Sequence, residues 1–187
     1  RATTLTIQKV SAGGLGLFTF TGTNGWTSQS IITTTVGVAV PGATQTLAIE
    51  GTATTITESS PPGYLLTGVS CTGMGSGGIA SLNGNSLTLS AAATAAGANI
   101  VCTFTNTRLP TLTLTKVSNG GVGAFTFSGT NGWSTQTITT TTPDTGVSGA
   151  TQTLTSPVTS TTTTDIAPPG YLLTGVSCTG MGSSGIA

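Results

Sequence analysis

The strongest constraint on this chain is that it repeats itself. Thr4–Trp26 (TLTIQKVSAGGLGLFTFTGTNGW) returns as Thr111–Trp133, and Pro61–Ser76 (PPGYLLTGVSCTGMGS) returns unchanged, both displaced by 107 residues without a gap. About two-thirds of the 80 overlapping positions are identical. A period this long is a whole domain, well beyond the 20 to 50 residues of a solenoid unit, so two copies of one domain are expected in tandem. The expected domains are residues 1–107 and 108–187, joined near Thr107–Pro110. The second copy reaches only the counterpart of Ala80, so it is expected to lack the last strands. The chain is therefore read as a segment of a longer protein. The alternative is that a neighbouring molecule supplies the missing strands by strand addition.

Within one copy the strand signals are short and frequent. They fall at Leu5–Val10, Leu17–Phe20, Thr44–Ile49, Thr52–Glu58, Tyr64–Cys71, Ser86–Leu89 and Asn99–Thr107, separated by Gly-rich, Pro-Pro-Gly and Asn-Gly turns. Thr supplies 45 of 187 residues, and its β-branch favours strands. Seven to nine strands per copy predict an all-β, Ig-like two-sheet sandwich. No helix is predicted; the Ala run near Ala91 reads as a loop or a single helical turn.

Charge removes most alternatives. Four basic and four acidic residues make the chain 4% charged, against about 25% in ordinary domains. That excludes nucleic-acid binding, which needs clustered Lys and Arg, and polybasic membrane-surface binding. The absence of His removes the usual general base and the commonest metal ligand. No cofactor is implied, no segment is apolar enough to insert in a membrane, and neither a phosphate-loop nor a nucleophile-elbow pattern occurs. Trp26 and Trp133, beside their Asn-Gly turns, read either as core aromatics or as exposed rings for carbohydrate stacking.

Lys9 and Lys116 fall at repeat-equivalent positions, and so do the acids Glu58 and Asp165. Strand parity places Lys9 on the face of Leu5 and Ile7, Glu58 on that of Ile56, and Asn106 on that of Cys102 and Phe104. A buried ammonium or carboxylate demands a partner. A Lys–acid ion pair with a hydrogen-bonded Asn would satisfy that demand without further chemistry.

The first-strand KV, the acid ahead of a PxGY turn (ESSPPGY, DIAPPGY) and the closing FTNT resemble the SpaA-type, or Cna-B-like, prealbumin-fold domains repeated in bacterial pilins and surface adhesins. The resemblance covers both copies. It implies a prealbumin-like sandwich and an intramolecular isopeptide bond in which Lys9 is the nucleophile, Asn106 the electrophile and Glu58 the proton shuttle. Desolvation favours the neutral forms of a buried amine and a buried acid, which suits such an attack with loss of ammonia. Lys116 and Asp165 take these places in copy two, with an acid one methylene shorter and the Asn beyond Ala187.

Cys71 and Cys178 are repeat equivalents, and a counterpart of Cys102 would lie beyond the end. Two Cys per repeat on core strands suggest a Cys71–Cys102 disulfide and an oxidising compartment, the alternative being two buried thiols. Cys178 would then await a partner outside these residues.

The resulting expectation is a structural module of an extracellular bacterial surface stalk, fibre or filament. Its partners would be neighbouring copies of the same repeat in a homopolymer or long tandem array. The alternative is an adhesin module gripping glycan or host protein through loops, with the divergent Val36–Pro41 and Pro143–Ser148 as its surface. An enzyme ranks third.

Overall fold

The computed structural model describes residues 1–182 and divides the chain into two compact units, the first ending at Leu109 and the second starting at Pro110. The final residues of copy two, 183–187, lie outside the described residues.

Unit 1 runs β1 (Thr4–Ala12), β2 (Leu17–Gly22), β3 (Gln29–Ile32), β4 (Val40–Pro41), β5 (Gln45–Thr46), β6 (Thr54–Ser59), β7 (Tyr64–Thr72), β8 (Ala80–Asn83), β9 (Ser86–Leu89) and β10 (Asn99–Arg108). One sheet has the order β4-β1-β10-β7, with β5 also on β1; the other has the order β3-β2-β6-β9-β8. The two sheets enclose Leu5, Ile7, Phe18, Phe20, Ile56, Leu87, Leu89, Ile100, Cys102 and Phe104. Burying each of the larger of these side chains contributes about 1.5 to 3 kcal/mol. The rings of Phe20 and Phe104 meet edge to face across the core at 5.1 Å between centroids.

The first and last strands are neighbours and parallel, in unbroken register from Thr4 opposite Asn99 to Ala12 opposite Thr107. On its other side β10 runs antiparallel to β7, and the register shifts between Thr105 and Asn106, so that Thr67 is the extra residue of a bulge. The inward positions of β7 accordingly change parity, from Tyr64 and Leu66 to Val69 and Cys71, all four packed against the core.

Two expectations change. The strand expected over Thr44–Ile49 is only the two residues of β5. Asn24, in left-handed backbone beside Gly25, accepts from the Ile49 amide through Oδ1 at 2.8 Å, and its carbonyl accepts from the Ala48 amide at 3.0 Å. The Asn-Gly turn thus takes the backbone groups that a sheet neighbour would have used. Trp26 and Trp133 are buried, 7% and 6% exposed, so the carbohydrate-stacking reading fails: neither ring faces solvent. The Ala run is a loop containing one i to i−4 bond, from Thr94 N–H to Ser90 C=O.

Unit 2 is built on the same plan. β11 (Thr111–Leu112) and β12 (Thr115–Lys116) stand where β1 does. They are followed by β13 (Ala124–Gly129), β14 (Gln136–Thr139), β15 (Val147–Ser148), β16 (Gln152–Thr153) and β17 (Thr163–Ile166). β14-β13-β17 form one sheet, while β11 pairs with β16 and β12 with β15. Phe125, Phe127 and Ile138 form its core.

Candidate functional site

Alternation along three strands carries three polar side chains into the core of unit 1. On β1 the inward series is Leu5, Ile7, Lys9; on β10 it is Ile100, Cys102, Phe104, Asn106; on β6, in the opposite sheet, it is Thr54, Ile56, Glu58. Lys9 lies opposite Phe104, so Asn106 is its diagonal neighbour on the adjacent strand. Lys9 and Asn106 are fully buried and Glu58 is 2% exposed.

Their polar atoms form one network. The Lys9 Nζ donates to Phe104 C=O at 3.1 Å and to Asn106 Oδ1, and lies 3.3 Å from Glu58 Oε2. It also sits over the Phe18 ring, 4.4 Å from the centroid. Asn106 Nδ2 spends both its protons, on Glu58 Oε1 at 2.5 Å and on Ser60 Oγ at 2.7 Å, while Ser60 Oγ donates to Glu58 Oε1. The carboxylate therefore bridges amine and carboxamide, one oxygen to each. Burial pushes the Lys9 ammonium down from 10.5 to about 8, against the opposing pull of Glu58. About one Lys9 in ten is then an uncharged, nucleophilic amine at pH 7.

Ser60 is a member of this network that the residue pattern does not single out, because Ser is common here and Ser60 follows the strand. The available signal is the comparison of copies: ESSPPGY becomes DIAPPGY, so the acid and the hydroxyl change together, Glu58 to Asp165 and Ser60 to Ala167.

Cys71 and Cys102 stand directly opposite on β7 and β10 and are joined as a disulfide. In the chain-entropy account, a link across 31 residues stabilises the fold by roughly 3 to 4 kcal/mol. The open reading of two thiols is thereby closed.

In unit 2 the Lys116 Nζ and Asp165 Oδ2 pair at 2.7 Å, with side chains 13% and 6% exposed. Lys116 lies 4.3 Å over the Phe125 ring, matching Lys9 over Phe18. No Asn joins them among the described residues. Among the described residues Asp165 Oδ1 is buried without a hydrogen-bond partner and Cys178 is an exposed free thiol.

No curated protein matches the chain. A solved structure, a variant of the shaft pilin SpaA from Lactobacillus rhamnosus GG, is 15% identical over 71% of this chain and 63% of its own, with a TM-score of 0.30. The chain thus spans less than two-thirds of that pilin's length. The sequence profile of the SpaA prealbumin-like fold domain matches twice, over residues 5–108 and 112–187. The chain belongs to the SpaA-type prealbumin-like fold domain family and carries two domains of that kind.

Proposed function

We propose that these domains are structural modules of an extracellular bacterial stalk or filament, and that unit 1 is stapled by a Lys9–Asn106 isopeptide bond as well as by its disulfide. The observation that carries this reading is the buried bridge of Glu58 between the Lys9 amine and the Asn106 carboxamide. The neutral Nζ attacks Asn106 Cγ, and the proton it sheds passes to Glu58 Oε2. Glu58 Oε1, already in contact with Nδ2, returns a proton there, and Nδ2 leaves as ammonia. Ser60 holds Nδ2 in line with the carboxylate. One C–N bond forms, one breaks, and a secondary amide replaces the ion pair.

The position of such a bond explains its use. Tension entering at the start of β1 and leaving at the end of β10 loads two parallel neighbours in shear, so that their hydrogen bonds resist together. A link from Lys9 to Asn106 would carry that tension directly and bypass a sequence separation of 97 residues. The disulfide beside it fits an oxidising exterior.

Intact mass spectrometry of the purified 187-residue chain tests the proposal. The expected mass is that of the sequence with one disulfide and one ammonia fewer, with the loss mapping to a branched peptide joining Lys9 to Asn106. A chain that retains the ammonia overturns the cross-link.

A further inference from the structure

The two margins of the unit 1 sandwich are finished differently. At one margin β3 and β4 close the sheets, and Ile31, inward on β3 opposite Phe18, is 3% exposed. At the other margin β7 and β8 are the edges, and Leu82, inward on β8 opposite the buried Leu87, is 43% exposed. The free edge of β7 is nine residues long. Among the described residues no backbone group of Tyr64–Thr72 bonds to any strand but β10. Charged residues and Pro, which commonly protect such an edge, are absent from it. Its one protection is the bulge at Thr67, which leaves Gly68–Thr72 as a regular arm.

Identity between the copies singles out the same edge. Burial explains why the inward Leu66, Val69 and Cys71 recur in copy two. It does not explain why the exposed Leu65, Thr67, Ser70 and Thr72 also recur unchanged, when the exposed Ser30 and Ile32 of β3 become Thr137 and Thr139.

We propose that this margin is a self-association face, at which β7 of one copy of the chain pairs antiparallel with β7 of a second about a two-fold axis through Ser70. That register sets Gly68 opposite Thr72, Val69 opposite Cys71, and Ser70 opposite its symmetry mate. Inward residues meet inward residues and outward meet outward, so the two sandwiches continue as one, with both β8 edges on the same side and Leu82 turned toward the join. A second copy fits this edge better than a foreign strand because the arm is its own complement. The outward faces of unit 1 are already joined strand to strand by hydroxyl pairs, Thr19 with Ser30 and Thr57 with Ser86 at 2.8 Å, and the Ser70 pair repeats that rule across the axis. Backbone pairing supplies affinity, and the apolar inward residues close a margin that one copy leaves open. This pairing is independent of the isopeptide bond.

Sedimentation of the full chain, carrying Cys178→Ser to remove its free thiol, tests the face. The reference chain should show a monomer–dimer equilibrium, with hydrogen exchange at Gly68–Thr72 slowing as concentration rises. Ser70→Lys sets two ammonium groups against each other and should weaken the dimer at least about a hundredfold, and Ser70→Glu should do the same. In both variants Ser177 is changed in the same way, because copy two carries the identical segment. Mixing the two variants should restore a dimer with one chain of each, since only a two-fold contact sets residue 70 against itself. Ser70 is exposed, so thermal unfolding of either variant at low concentration should match the reference. Ser30→Lys, on the opposite margin, should leave the dimer unchanged. A reference chain that stays monomeric at about 1 mM, a dimer that Ser70→Lys leaves intact, or variants that do not recover on mixing overturn the proposal. Protection of Gly68–Thr72 by an unrelated extended peptide but not by the chain itself assigns the edge to a foreign strand and overturns it equally.

Discussion

A buried amine that titrates near 8 makes the stability of the uncrosslinked domain depend on pH in a direction opposite to ordinary alkaline denaturation. The informative perturbation is Asn106→Ala, which removes the electrophile and leaves Lys9 facing Glu58 and the Phe104 carbonyl. Unfolded, Lys9 holds its proton up to 10.5; folded, burial releases it at about 8. Between those values the unfolded state binds more protons, so the free energy of unfolding rises with pH. The deficit is fully present below about 8 and gone above 10.5. At about 1.4 kcal/mol per pH unit, the gap amounts to about 3 kcal/mol. Loss of the Asn106 oxygen removes a partner of the ammonium and acts in the same direction. In the cross-linked chain the Lys9 nitrogen is an amide and does not titrate, so the difference between the two pH profiles isolates this residue. The assay is urea unfolding from pH 7 to 11, followed through Trp26 fluorescence in a Trp133→Phe, Cys178→Ser background. A difference that is flat, or that falls with pH, refutes the placement of a desolvated amine at Lys9.

Replacing Glu58 by Gln keeps an acceptor beside Asn106 but cannot take up the amine proton, so the intact mass of that variant should retain the ammonia; a lighter variant would remove Glu58 from its role as shuttle. The Cys71→Ser, Cys102→Ser double variant should lose roughly 3 to 4 kcal/mol of unit 1 stability in denaturant titrations, since it frees a 31-residue separation; an unmoved midpoint contradicts the entropic account. Thr33→Val should cost about 1 to 3 kcal/mol, because the Ser11 hydroxyl and the Gly16 amide both donate to the buried Thr33 Oγ1. The same change at Thr140, which accepts from Ser118 and Gly123, should weaken unit 2 by a similar amount.

How much of this was legible depends on which interactions are periodic. Strand alternation is a period of two, so the inward placement of Lys9, Glu58 and Asn106 follows from counting along β1, β6 and β10. Counting fails where a residue is inserted. The bulge at Thr67 reverses parity within β7, and the only mark it leaves is that Leu66 and Val69 are both inward at an odd separation. The two-residue strands β4 and β5 are fixed by what they lie against, since Val40 and Gln45 pair with β1 through contacts 31 and 40 residues distant. Ser60 escaped for another reason: it lies beyond the end of β6, where no periodicity applies, and only its disappearance from copy two marks it.

The distribution of charge ties fold to use. In most soluble domains the charges face water and the hydroxyls are scattered; here the opposed pairs Lys9–Glu58 and Lys116–Asp165 point inward, and hydroxyls take the outer face. Thr19 meets Ser30, Thr57 meets Ser86 and Thr126 meets Thr137, each across neighbouring strands at 2.8 to 3.0 Å. Such pairs contribute roughly 0.2 to 1 kcal/mol each and, being uncharged, are not screened by salt. A surface held by hydroxyl pairs presents little like-charge repulsion to a second copy, and β7, the edge strand beside β10, carries no Lys to discourage pairing. The same economy makes an inward charge costly unless it is consumed. Converting Lys9 and Asn106 to an amide would remove the buried ammonium altogether, so the cross-link would relieve the desolvation that made the amine reactive.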